Sequence, residues 1–250
     1  MIRLKNDKQI EGIRKSCKLL AGLFEELGDH IKPGISTWDI DRIAEEYIKK
    51  HKGTAAFKGY EGFPGSICAS VNDTIIHGIP SKKEILKEGD IIGCDIGIVL
   101  DDYYSDRAYT FAVGEVNKDV KLLLERTEEA LMRGISAAVA GGRIKDIGKA
   151  ITSYIEPFGY GIVHSFCGHG VGLDVHEEPQ IPNNYPSRGM NPRIKPGMVL
   201  ALEPMINMGT ADVEILEDDW TVKPLDGSLS AHFEHTIAIF KDKTEILTVL

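Results

Sequence analysis

From residue 6 to residue 27 apolar side chains return at alternating steps of three and four: Ile10, Ile13, Cys17, Leu20, Phe24 and Leu27. That spacing places them on one face of a helix. Asn6, with Gln9 three positions on, supplies the capping box that starts it. A second helix is predicted from Ser36, after Pro33-Gly34, carrying Ile40, Ile43, Ala44, Tyr47 and Ile48 to a stop at Gly53. Then the period shortens. Strands are predicted around 66–71 and in a hairpin that pairs 91–99 with 102–112. Two more helices follow over 117–140 and 145–158, and then strands near 162–167, 198–206, 212–216 and 231–240.

Helix, helix, strands thus occurs twice, and local echoes mark the repeat. PGISTWDIDRIAEEYIKKHKG is answered by AGGRIKDIGKAITSYIEPFG, and His77-Gly-Ile-Pro80 by His176-Glu-Glu-Pro179. The third echo is 86-LKEGDIIGCD-95 against 194-IKPGMVLALE-203, in which Lys-x-Gly leads through apolar residues to Asp95 and to Glu203 at the same step. An acidic residue at the matching core position of both halves predicts a site on a pseudo-twofold axis. The expected architecture is one α+β domain spanning 1–250, with half-repeats of about 1–115 and 116–250 and helices backing an antiparallel sheet.

The predicted hairpin contains two misfits. With a chain reversal at Leu100-Asp101, Asp95 lies directly opposite Asp106, and the two carboxylates are held roughly 5 Å apart on one face of a core strand pair. Like charges at that distance repel, and burial raises the cost of ionising them. Either one is protonated or a cation lies between them. Glu203 in 198-MVLALEPMI-206 and Glu234 in 231-AHFEHTIAIF-240 interrupt apolar strands in the same way. Taken singly, each acid could be half of a salt bridge or sit on an edge-strand face. Arg107 is the only basic residue within the hairpin strands, with Lys195 and Lys241 flanking the others, so four acids have no matching cations.

The glycine-rich 164-HSFCGHGVGLDVHEEP-179 adds His169 and His176. Gly168, Gly170 and Gly172 let the backbone bring an imidazole close to a site. A phosphate cradle is the other use of such a run, but no Gly-x-x-x-x-Gly-Lys-Ser/Thr pattern accompanies it. Four carboxylates and one imidazole form a hard donor set that suits two carboxylate-bridged divalent ions, a device for hydrolysis. Gly-x-Ser-x-Gly and His-Glu-x-x-His are both absent. Cys167, two residues before His169, reads as a small buried side chain rather than a nucleophile.

Composition narrows the partners. With 38 acidic against 29 basic residues the formal charge is -9, which argues against a nucleic-acid backbone or an anionic membrane as the main partner. A peptide or small molecule fits better. Four widely spaced cysteines signal neither a zinc knuckle nor a disulfide framework, and no signal-peptide or membrane-span pattern occurs. A cytoplasmic location is expected.

Asp95, Asp106, His169, Glu203 and Glu234, together with His77 and His176, resemble the five metal ligands and two catalytic histidines of the type I methionine aminopeptidases. The motifs VNDTIIHGIP, GHGVGLDVHEEPQIP, GMVLALEPM and DDWTVKPLDGSLSAHFEHTI carry the resemblance over essentially the whole chain. It implies the duplicated pita-bread fold and removal of the N-terminal methionine, with a small second residue preferred. Two divalent ions (cobalt, manganese, iron or zinc) would be held, one by Asp106, His169, Glu203 and Glu234, the other by Asp95, Asp106 and Glu234. Glu203 would also accept a proton from the bridging water, His176 would stabilise the oxyanion, and His77 would position or protonate the scissile nitrogen. Tyr60, Phe63, Cys68 and Trp220, with His77 and His176, would contact the substrate. Implied partners are N-terminal methionine peptides and nascent polypeptides, with ribosome association and a monomeric state among the expectations, and no specific nucleic acid or membrane. Two departures stand out. Glu61 occupies a position where many relatives have His, and Arg107-Ala108 follows Asp106 where Thr or Ser is common. An Xaa-Pro peptidase shares the metal set and a non-catalytic peptide-binding module shares the fold; both are rival readings.

Overall fold

The computed structural model describes residues 1–250. Its helices are α1 (Asp7–His30), α2 (Thr37–Lys50), α3 (Lys118–Ala137) and α4 (Ile144–Ile155). The predicted capping box is present: the Asn6 side chain accepts from Gln9 N–H at 2.9 Å, and the Gln9 side chain accepts from Asn6 N–H at 3.0 Å. Ser36 and Asp39 form a second capping box on α2, while α3 has a one-way cap in which the Asn117 side chain accepts from Val120 N–H. In α1 the side chains of Leu20, Leu23 and Leu27 are wholly buried, each contributing about 2 kcal/mol of transfer free energy.

Strands β1 (Thr54–Ala55), β2 (Cys68–Val71), β3 (Ile91–Leu100) and β4 (Tyr103–Ala112) form a first antiparallel sheet in which β3 pairs with the other three. In the remainder of the chain are β5 (Gly161–Ile162), β6 (Gly168–Gly170), β7 (Glu177–Ile181), β8 (Val199–Leu202), β9 (Met205–Asn207), β10 (Val213–Ile215), β11 (Val222–Pro224), β12 (Ser230–His232), β13 (His235–Ile239) and β14 (Thr244–Ile246). They build a five-stranded sheet ordered β14-β13-β8-β6-β7, a three-stranded sheet ordered β12-β9-β5, and the hairpin β10-β11. Helices α1 and α2 cover the first sheet through a core that includes Leu20, Phe24, Ile40, Ile92 and Ile96. Helices α3 and α4 cover the later strands through Leu123, Leu131, Ile151, Leu200 and Ile237. No helix is long and apolar enough to cross a membrane.

The sheets meet where β4 runs beside β13. Glu234 N–H donates to Ala108 O at 2.8 Å, and the Thr236 hydroxyl donates to Asp106 O at 2.7 Å. Asp106 and Glu234 are thereby brought to one seam.

Two predicted strands are corrected in a way that bears on the site. The segments 198–206 and 231–240 are each broken, at Glu203-Pro204 and at Phe233-Glu234. Leu202 pairs with His235 on one side of the break, and Met205 with His232 on the other. The register therefore runs through the interruption, and Glu203 faces Glu234 across it. Proline cannot donate to a ladder, so the ladder opens at this pair and frees both side chains. The predicted strand at 162–167 covers only Gly161–Ile162, and β6 starts at Gly168.

The hairpin register also differs from the expectation. The chain reverses at Asp101-Asp102, with φ of 49° and 65°, so Leu100 pairs with Tyr103, Asp95 with Ala108, and Asp106 with Gly97. Two consecutive left-handed residues make the tight turn that suits a strand's twist, and Asp tolerates that conformation. Asp95 and Asp106 are thus diagonal neighbours on one face rather than directly opposed.

Candidate metal centre and peptide pocket

The five candidate ligands come from five segments: Asp95 from β3, Asp106 from β4, His169 from β6, Glu203 at the end of β8 and Glu234 at the start of β13. Ligand atoms of Asp106, His169 and Glu234 lie within 4.8 Å of one another. His169 Nε2 is 3.5 Å from Glu203 Oε1 and 3.8 Å from Asp106 Oδ2. The tautomer of His169 follows from its neighbour: Nδ1 lies 2.9 Å from Gly170 O, which can only accept, so Nδ1 carries the proton and Nε2 turns its lone pair to the carboxylates.

Burial pushes the Asp95 carboxyl up to about 7. Asp106, Glu203 and Glu234 are raised well above the carboxylate range, first by burial and then by neighbouring carboxylates: Asp95 for Glu203, Asp95 and then Glu203 for Asp106, and Asp106, Glu203 and Asp95 for Glu234. Burial drives the imidazoles the other way, His169 down to about 3 and His77 to about 4. Oδ1 of Asp95, Oδ1 of Asp106 and Oε1 of Glu234 are buried without any hydrogen-bond partner. Such atoms are rare and costly in a folded protein. No lysine or arginine lines the cavity, and the guanidinium of Arg107, on the opposite face of β4 from Asp106, stacks on Phe24 at 4.5 Å. Orphaned hard oxygens beside a lone-pair nitrogen fit a divalent cation.

The carboxylates form the floor of a cavity of about 510 Å³. All the other residues singled out in the sequence reach the same cavity: Tyr60, Phe63, Cys68, His77, His176 and Trp220. Phe63 and Trp220 meet edge to face with centroids 5.0 Å apart, and His77 lies against Trp220 at 5.9 Å. His77 holds a left-handed backbone, φ 59°, which is uncommon outside glycine and clusters at functional positions. The His176 ring stands 4.4 Å from that of His169, and its Nδ1 is 3.0 Å from the Tyr60 hydroxyl. Glu61, also left-handed at φ 48°, sits on the rim. Burial raises the Cys167 thiol, which keeps it protonated and poorly nucleophilic.

Sequence reasoning passed over His232. Its Nε2 is buried, has no hydrogen-bond partner and lies 3.6 Å from Glu203 Oε2. The signal was available, because residues two apart on a strand share a face and His232 precedes Glu234 by two. The walls contributed by Phe57, Ile76 and Phe166 had no such signal, since apolar residues in this chain are mostly core.

Comparison with known proteins agrees with this geometry. The model of metallopeptidase family M24 matches residues 11–241. The methionine aminopeptidase of Clostridium acetobutylicum is 47% identical over 249 residues, covering 100% of this chain and 99% of the relative. Methionine aminopeptidase 1 of Bacillus subtilis is 49% identical over 248 residues, with 99% of each chain covered. The crystal structure of the methionine aminopeptidase from Rickettsia prowazekii superposes with a TM-score of 0.96 at 39% identity, covering 100% of both chains. An X-Pro aminopeptidase from Thermotoga maritima, 24% identical, shares the fold at a TM-score of 0.77 over 99% of this chain and 62% of that one. Fold and site together define a metallopeptidase of the pita-bread class, and the chain belongs to metallopeptidase family M24. Within that family it stands with the methionine aminopeptidases.

Proposed function

We propose that this chain removes the N-terminal methionine from peptides and nascent polypeptides whose second residue is small, using two divalent ions held by Asp95, Asp106, His169, Glu203 and Glu234. The observation that carries the reading is the set of buried, unpartnered carboxylate oxygens at the floor of a cavity walled by aromatic side chains. Divalent metal held there would supply Lewis acidity and a water nucleophilic at neutral pH.

The chain's own groups divide the remaining work. Phe63, Trp220, Tyr60 and Cys68 give the unbranched methionine side chain an apolar, partly aromatic wall. With the Tyr60 hydroxyl donating to Nδ1, the Nε2–H of His176 is free to hydrogen-bond the carbonyl oxygen as it gains charge. His77, held neutral by burial down to about pH 4, orients the scissile nitrogen rather than delivering a proton as imidazolium. Proton movement from the attacking water to the leaving amine falls to the Glu203 carboxylate. The half-repeats of about 1–115 and 116–250 supply the two flanks of this site. Manganese, cobalt, iron and zinc all suit the donor set. A monomer acting in the cytoplasm, beside the ribosome, is part of the same reading.

The test is release of free methionine from Met-Ala-Ser by chelator-stripped protein, with and without added Mn²⁺ or Co²⁺, beside an Ala-Pro control. Metal-dependent release from the methionine peptide alone is expected. Cleavage of Ala-Pro would move the assignment to the proline-specific branch of the fold, and no cleavage of either by folded, metal-loaded protein would make it a binding module.

A further inference from the structure

The residue after His176 is tied to the far end of the chain. Glu177 Oε2 accepts from Lys5 Nζ at 2.8 Å and from Arg3 Nε at 2.9 Å, while its Oε1 accepts from Leu173 N–H at 2.8 Å. The side chains of Lys5 and Glu177 are each 1% exposed, and that of Arg3 is 42% exposed. One carboxyl therefore closes the loop 173–177 across its own neck and fastens it to the N-terminal segment.

The backbone makes room for this fastening. Lys5 N–H donates to Gly197 O at 2.7 Å. Gly197, at φ 88°, approaches so closely that a Cβ there would stand 2.9 Å from Lys5 O. Gly172, at φ 122°, lies where a Cβ would meet Ile13 Cδ1 at 2.4 Å and Lys5 Cε at 3.6 Å. At Gly197 a side chain would press on the backbone of the segment itself, whereas at Gly172 it would press on Ile13 of α1, with Lys5 Cε at ordinary contact distance, and would be strained by the positive φ. A buried ion pair contributes little net stability, because desolvation offsets its attraction; fixing one arrangement is its best-attested use. The arrangement fixed here is that of a loop whose one imidazole faces the metal floor.

We propose that Lys5, with Arg3 as its outer partner, is a positioning residue for the reaction: acting through Glu177, it holds the loop that presents His176, so the N-terminal segment is a strap over the active-site wall. Lys5 lies outside the cavity lining and touches no substrate. The proposal rests on the role given to His176 in the aminopeptidase reading.

The test compares wild type, Lys5→Met and Lys5→Arg as full-length, metal-loaded enzymes on Met-Ala-Ser. Lys5→Met is expected to lower kcat by about 10- to 100-fold, the range for displaced supporting groups, with KM within about twofold and metal content unchanged. Lys5→Arg, which keeps the charge, recovers most of the loss. The Leu173 amide exchanges hydrogen faster in Lys5→Met than in wild type. A kcat equal to wild type in folded Lys5→Met, even with a lower Tm, would make the pair purely structural and overturn the proposal; so would a raised KM with kcat intact. Should Lys5→Met not fold, Glu177→Gln keeps an amide oxygen to accept from Leu173 N–H but sets its NH2 against Lys5 and Arg3, which cuts the tie to the N-terminal segment, and the same kcat comparison decides. A wild type that releases no methionine sinks the functional reading instead, while exchange at Leu173 still reports whether Lys5 holds the loop.

Discussion

The seam between the sheets and the helix-and-loop regions outside it both bury carboxylates, and they treat them in opposite ways. On α2, Glu45 is surrounded by Arg42, Lys49 and Lys58, and Asp41 accepts from the backbone N–H groups of Ser66 and Ile67 at 2.6 and 3.2 Å. Glu177 has Lys5 and Arg3. At the seam between the sheets, Asp95, Asp106, Glu203 and Glu234 have one another and His169, with three buried oxygens left bare. A carboxylate withdrawn from water needs a partner. Where the chain supplies one, the acid is structural; where it does not, the partner comes from outside.

The sharpest way to break this contrast is to neutralise one acid of each kind. Asp106→Asn removes a shared charge and little volume, so activity should fall by about a thousandfold or more, roughly 4 kcal/mol of barrier. The metal-free protein should at the same time become more heat-stable at neutral pH, since a buried carboxyl held well above its ordinary range is replaced by an amide that never ionises. Methionine release from Met-Ala-Ser and a melting curve in chelator read both effects; near-normal turnover, or a lower Tm, would contradict the account. His176→Ala comes next, with an expected loss in kcat of about 10²- to 10³-fold and metal retained. A variant that no longer held metal would place His176 among the ligands.

Proton linkage should separate the regions by sign. Burial raises the Asp95 carboxyl to about 7, so its contribution to the stability of the metal-free protein is present below the ordinary carboxyl range and is lost as pH rises through about 7. Lys49 and then Lys58, acting against burial, lower Glu45 from 4.5 to about 2, so its contribution is present above pH 4.5 and is lost as pH falls toward 2. Metal competes with protons for the first group alone. Added Mn²⁺ should therefore raise Tm by more at pH 8 than at pH 5.5, and an equal rise at both would count against a carboxylate site. The smallest effect belongs to Glu45→Gln. Its cationic partners are 37%, 65% and 45% exposed, so solvent screening limits the loss to about 1 kcal/mol, measurable in urea, with kcat unchanged.

The helices were legible in the sequence because periodicity and caps are local properties: Asn6, Ser36 and Asn117 stand where the pattern put them. The site was legible because acids are conspicuous among apolar strand residues. What the sequence could not carry was register. Asp95 and Asp106 were expected to face each other, yet the turn lies one residue further on, at Asp101-Asp102, and they are diagonal. The directly opposed acids are Glu203 and Glu234, at a ladder break that only the pairing of distant strands reveals. Lys5 was equally invisible, since nothing near it in the chain announces a partner 172 positions away.

The central claim, that the bare carboxylates at the seam are a metal site, is tested most directly by calorimetric titration of Mn²⁺ into chelator-stripped protein, in two buffers that differ in ionisation enthalpy. The account predicts saturable binding with proton release near neutral pH, since raised carboxyls must ionise to bind, and loss of that signal in Asp106→Asn. Folded protein that takes up no ion, or binding that Asp106→Asn leaves unchanged, would contradict it.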